Sequence, residues 1–103
     1  MVEIKLLETN TFYVGQEAYI SLKQHVSVGV KTVAKSNDES IISVDRTRFR
    51  YFKPLNKDKK GGDAGERTFI FRAHKAGTTE ITIQKIFRGT LQEERLVKLT
   101  VVN

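Results

Sequence analysis

At 103 residues the chain has material for one compact domain and none for a second core. It contains no cysteine, which excludes a disulfide framework, a thiolate nucleophile and cysteine-ligated zinc, while a hydrophobic fraction of 39% is enough to drive folding without such staples. The formal net charge is +6, and much of the excess lies where Arg46, Arg48, Arg50, Lys53, Lys57, Lys59 and Lys60 oppose Asp45 and Asp58, so one region of the surface is expected to be strongly positive.

Along the chain the hydrophobic period is predominantly two, the spacing of a strand with one buried face. Segments 2–7 and 11–14 are short strand candidates. Ala18, Ile20 and Leu22 then alternate with Tyr19, Ser21 and Lys23, and further candidates fall at 28–34, 41–44 and 49–52. Phe69, Phe71 and Ala73 alternate with Thr68, Ile70 and Arg72; Ile81 and Ile83 alternate with Thr82 and Gln84; Val97, Leu99 and Val101 alternate with Lys98, Thr100 and Val102. Residues 91–96, rich in Gln92, Glu93, Glu94 and Arg95, read as a turn of helix or a polar loop. Turn chemistry separates the strands at Gly15, at 35–38, at 61–65, at Gly77 and at Arg88-Gly89. Seven to eight short strands without a helix predict an all-β, immunoglobulin-like β-sandwich.

Catalytic chemistry is thin. His25 and His74 are the only histidines, and His74, beside the turn at Gly77, reads as a solvated strand-end residue. The acid pairs Asp38-Glu39 and Glu93-Glu94 lie in polar segments and read as surface charge. The glycine cluster 61–65 lacks the Lys-Ser/Thr of a phosphate-binding loop and leads into a strand. It is either a flexible hairpin connection or a loop whose bare backbone approaches a partner. No catalytic residues, metal site or cofactor are expected. No apolar run approaches the roughly 18 residues that cross a bilayer, and Glu3, Lys5 and Glu8 interrupt any signal-peptide core, so the chain as given is expected to be soluble and without a targeting segment. The compartment stays open: cytoplasmic, or a lysosome-like or phagosome-like vesicle if a leader has been removed.

The order of loops and strands from Thr11 to Val102 resembles that of chagasin-type inhibitors of papain-like cysteine proteases. Gly62-Asp63-Ala64-Gly65, the strand 66–73 and Ala76-Gly77-Thr78 are similar to that family's Gly-x-Gly-Gly loop, long strand and Ala-Gly-Thr turn. Upstream, Arg50-Tyr51-Phe52-Lys53-Pro54 resembles its Tyr-Phe-Pro stretch. Two family loops occur in altered form. The Asn-Pro-Thr-Thr-Gly loop corresponds to His25-Val26-Ser27-Val28-Gly29, which keeps the glycine and a hydroxyl; the Arg-Pro-Trp loop corresponds to Phe87-Arg88-Gly89, in which Phe87 is the remaining aromatic.

The resemblance implies one inhibitor domain over 1–103, not an enzyme, that occludes a protease cleft reversibly with three loops at one end of a rigid sandwich. His25, Val26, Ser27, Val28 and Gly29 would lie over the catalytic cysteine, with Gly62, Asp63, Ala64 and Gly65 on one side and Phe87 and Arg88 on the other. From the residues alone, Val28 is either exposed or the start of the next strand. Phe87 is either an exposed anchor or a core aromatic in register with Ile81 and Ile83. The alternative function is a basic immunoglobulin-like module that holds a polyanion or acidic protein through residues 46–60. Phe49, Tyr51 and Phe52 interleave with the basic residues, but no nucleic-acid recognition motif accompanies them, so neither nucleic acid nor membrane is the expected partner.

Overall fold

The period-two pattern is realised as eight strands. The computed structural model describes the backbone of residues 1–25, 29–51 and 64–103, with the side chains of all of these except His25 and Ala64. In chain order the strands are β1 (Val2–Glu3), β2 (Asn10–Tyr13), β3 (Glu17–His25), β4 (Val30–Ser36), β5 (Ile42–Tyr51), β6 (Ala64–Ala73), β7 (Gly77–Phe87) and β8 (Thr90–Val102). They form two sheets, β2-β8-β7-β4 and β1-β3-β6-β5, which become continuous through the pair His25↔Val30. The N-terminal segment serves both sheets, since β1 runs parallel to β3 and β2 runs parallel to β8. Asn10, buried at the start of β2, holds that crossing: Lys5 N donates to its Oδ1 at 2.8 Å, and its Nδ2 donates to Lys5 O at 2.9 Å and Glu8 O at 3.0 Å.

The core follows from the alternation. Ala18 and Ile20 on β3 stand opposite Phe71 and Phe69 on β6, and this layer meets Phe12, Ile81, Val97, Leu99 and Val101 from the other sheet. Each large side chain fully withdrawn from water contributes about 1.5–3 kcal/mol, so Phe71, Ile81 and Leu99, all 0% exposed, are among the main sources of stability. Ile70 is also fully buried but on the opposite, outer face of β6. There it lies in register between Tyr19 and Arg46.

Three strand expectations are corrected. Residues 91–96 are neither helix nor loop but the first half of β8, because the tight β7–β8 hairpin imposes antiparallel pairing on residues of low intrinsic strand preference. Gln92 is the extra residue of a bulge opposite Lys85/Ile86, and Gln84 Nε2 donates to Glu94 Oε2 at 2.8 Å across the pair. The candidates at 41–44 and 49–52 are joined, over the described residues, in one strand, β5 (Ile42–Tyr51), interrupted by a bulge that leaves Asp45 unpaired between Val44 and Arg46. Segment 2–7 contributes only the two residues of β1.

Candidate functional site

Antiparallel pairing brings three connections, 26–29, 52–63 and 88–89, to one end of the sandwich. The strand ends beside them lie on one row of pairs that crosses both sheets, Ala64↔His25, His25↔Val30, Val30↔Phe87 and Phe87↔Thr90, with Tyr51↔Gly65 one residue in from that row. Backbone hydrogen bonding therefore fixes the spacing of the strand ends from which the three connections leave. Val26, Ser27, Val28, Gly62 and Asp63 lie outside the described residues, as do Phe52, Lys53, Pro54, Lys57, Asp58, Lys59 and Lys60. The feet His25, Gly29, Tyr51 and Ala64 lie inside.

Each foot has its own local cause. Arg88 and Gly89 both have positive φ, 49° and 82°, the signature of the type I′ two-residue turn that matches the twist of paired strands. Gly29 has φ 83° and accepts a hydrogen bond from Arg88 N at 2.9 Å. Gly65 is buried in β6, where an added Cβ would fall on the Arg50 carbonyl oxygen and 2.7 Å from Phe49 Cζ. Glycine is thus required there for the close approach of β5. Next to it Phe49 and Tyr51 meet edge to face with centroids 4.8 Å apart, and the Arg67 guanidinium lies 5.1 Å above the Phe49 ring.

Behind the feet the two sheets part, leaving an open cleft of about 820 Å³ whose lining includes Gln24, Thr32, Thr47, Arg67, Phe69 and Ile86. The parting has a sequence cause, because the inward positions change from apolar to polar towards this end. Gln24 is buried, and its Oε1 accepts from Thr32 N at 3.2 Å and from Thr32 Oγ1 at 3.4 Å, a second link between β3 and β4.

Residues 11–101 match the sequence profile described as Chagasin family peptidase inhibitor I42. The chain belongs to the chagasin family of peptidase inhibitors. Among solved structures it is similar to the cysteine protease inhibitor EhICP2 from Entamoeba histolytica, at TM-score 0.68 and 16% identity over 98% of this chain and 93% of that one. It is also similar to amebosin, at TM-score 0.61 and 17% identity over 98% and 96% of the two chains. Domains 4 and 5 of the S-layer protein SbsC align at TM-score 0.58 and 17% identity, covering 97% of this chain and 51% of that one. At such identities these likenesses establish the shared sandwich and not a shared activity; the family match carries the peptidase-inhibitor assignment. Comparison with curated proteins finds no sequence match.

In this chagasin-family inhibitor Phe87 is not a core residue. It is 38% exposed at the hairpin tip, with the Arg88 guanidinium 5.1 Å from its ring centroid. His74 sits at the opposite end, past the far terminus of the ten-residue β6, about 30 Å away at strand rise. Its Nε2 is 2.6 Å from Ser43 Oγ on the exposed surface, apart from the loops. Among the described residues no group of three His, Asp or Glu is placed to hold a metal ion.

The basic stretch is less bare than its composition suggests. Arg46 Nη1 lies 2.7 Å from both Glu17 Oε2 and Asp45 Oδ2, Arg72 Nη2 lies 3.4 Å from Glu17, and Arg50 lies 3.7 Å from Glu66. These pairs occupy the outer face of the β3-β6-β5 sheet. The hydrogen bond from Arg46, with added attraction from Arg72, holds the Glu17 carboxyl below the usual glutamate range, and Glu17, with Asp45, raises Arg46. Arg46 and Arg50 are therefore matched by carboxylates that strand register places beside them. Sequence reading alone had no means of locating those partners, nor the Gly29–Arg88 bond or the Gln24–Thr32 link; only the positive-φ turn at Arg88-Gly89 carried a local signal.

Proposed function

We propose that this peptidase inhibitor acts on papain-family cysteine proteases, reversibly and without chemistry of its own, by inserting the loop end of a single domain into the active-site cleft. The observation that carries the reading is the strand register, which sets the feet of all three loops within one residue of a common row across both sheets. Loop feet held at fixed spacing by strand pairing need no rearrangement to meet a cleft, which favours affinity. The EhICP2 structure, a cysteine protease inhibitor by its description, supports the target class.

In this reading His25 to Gly29 cover the catalytic cysteine, Gly62, Asp63 and Ala64 flank one side of the cleft, and Phe87 and Arg88 flank the other. Gly65 acts one step back, by letting β5 close on β6 so that the glycine loop starts at the correct height. The alternative, polyanion capture through residues 46–60, is weakened by the carboxylates paired with Arg46 and Arg50 on the outer sheet face; residues 52–60 lie outside the described residues. Titration of a papain-like protease with this protein, with a serine protease as control, tests the proposal. A stoichiometric endpoint for the cysteine protease alone is expected. Equal inhibition of both, or of neither, refutes it.

A further inference from the structure

We infer that the β7–β8 hairpin tip positions Gly29, the closing residue of the first loop, with Arg88 as the positioning residue, so that Gly29 and 87–89 meet a protease as one element. The inference rests on the protease-inhibitor reading for its consequence, but not for its geometry. Arg88 occupies the left-handed region at φ 49°, where an L side chain is disfavoured and where glycine or asparagine would form the same I′ turn at less cost. What the arginine adds is its side chain. The guanidinium stacks on Phe87, and Cγ packs over Gly29, occupying the space a Cβ there would need, at 2.8 Å. Its own amide donates to the Gly29 carbonyl at 2.9 Å, and the next residue, Val30, is paired with Phe87.

One arginine thus joins the aromatic of the third loop to the closing glycine of the first. Gly29 is matched to it twice, by its φ of 83° and by the absence of a Cβ. A glycine held in this way has less conformational freedom to lose on binding, which is where the benefit of the strained Arg88 backbone is expected.

The test uses the full chain and the variants Arg88→Gly, Arg88→Lys, Gly29→Ala and the double variant Gly29→Ala/Arg88→Gly. Amide NMR shifts of residues 25–29 are read in the free protein, and the inhibition constant is read against a papain-like protease. Arg88→Gly keeps the turn and the N–H donor, yet should move the amides of 25–29 and weaken inhibition about tenfold, in the range of couplings between contacting residues. Arg88→Lys keeps an aliphatic stem over Gly29 and should restore both the shifts and most of the inhibition. Gly29→Ala should cost at least about threefold more with Arg88 present than in the Arg88→Gly background. Unmoved amides in Arg88→Gly, additive effects in the cycle, or no rescue by lysine would each overturn the inference. If the amides respond as expected while the unmodified protein fails to inhibit, the positioning stands and the protease reading fails.

Discussion

Phe87→Ala separates an anchor from a core residue and can be worked through in numbers. The ring is 38% exposed, so truncation removes only part of the area that a buried phenylalanine would lose, and the hairpin tip leaves no enclosed cavity. At about 25 cal/mol per Å², and with about 60–80 Å² of net burial lost, the expected destabilisation is about 1.5–2 kcal/mol. Phe71→Ala, at a position 0% exposed, should cost about 3–5 kcal/mol. For a domain of this size each kcal/mol shifts the melting temperature by about 4–8 °C. Phe87→Ala should therefore melt about 6–16 °C lower, and Phe71→Ala at least about 12 °C lower. The inhibition constant should move the other way round. Loss of a central aromatic contact is expected to cost about 2 kcal/mol of binding, about thirtyfold, whereas Phe71→Ala assayed below its transition should inhibit nearly as before. Thermal melts by circular dichroism and titration against one papain-like protease measure both axes. A Phe87→Ala protein that melts as low as Phe71→Ala, or inhibits as tightly as the parent, refutes the reasoning.

Replacing the valines of the first loop, Val26→Gly with Val28→Gly, removes its apolar surface and adds loop entropy. Affinity should fall by about 2 kcal/mol with the β-sheet circular dichroism spectrum unchanged, and undiminished inhibition would show that the first loop does not carry the contact. Gly65→Ala drives a methyl onto the Arg50 carbonyl and should cost about 1–3 kcal/mol in urea denaturation; an unshifted midpoint would contradict the close β5–β6 approach. Glu17 has a depressed folded-state pKa, so its contribution is present above the unfolded glutamate value, about 4.3, and is lost as pH falls through the lower folded value. Glu17→Gln should accordingly melt below the parent at neutral pH and converge with it in strong acid. A gap that stays constant from pH 7 to pH 2 would remove Glu17 from the ion network.

Period-two alternation at 18–22, 69–73, 81–83 and 97–101 was sufficient for an all-β sandwich, because a strand with one buried face writes that face into every second residue. The same local logic marked Arg88-Gly89 as a turn, whereas Ala64 and Gly65, expected in the glycine loop, are the first residues of β6 because they pair with β3 and β5. Residues 91–96 escaped it: their charges favour no strand, and only pairing with β7 across a two-residue hairpin extends them. Phe87 shares the parity of Ile81 and Ile83, so periodicity alone placed it equally well in the core. Only its place at the tip of the β7–β8 hairpin, 38% exposed, decides the matter. Likewise Arg46 and Glu17 are 29 positions apart in sequence and 2.7 Å apart in space. Which strands carry a core face is local information, held in each segment's own pattern. Which charges cancel, which glycine is pressed against a neighbouring backbone, and which loop tips touch are properties of strand order and register, and those exist only once distant segments have paired.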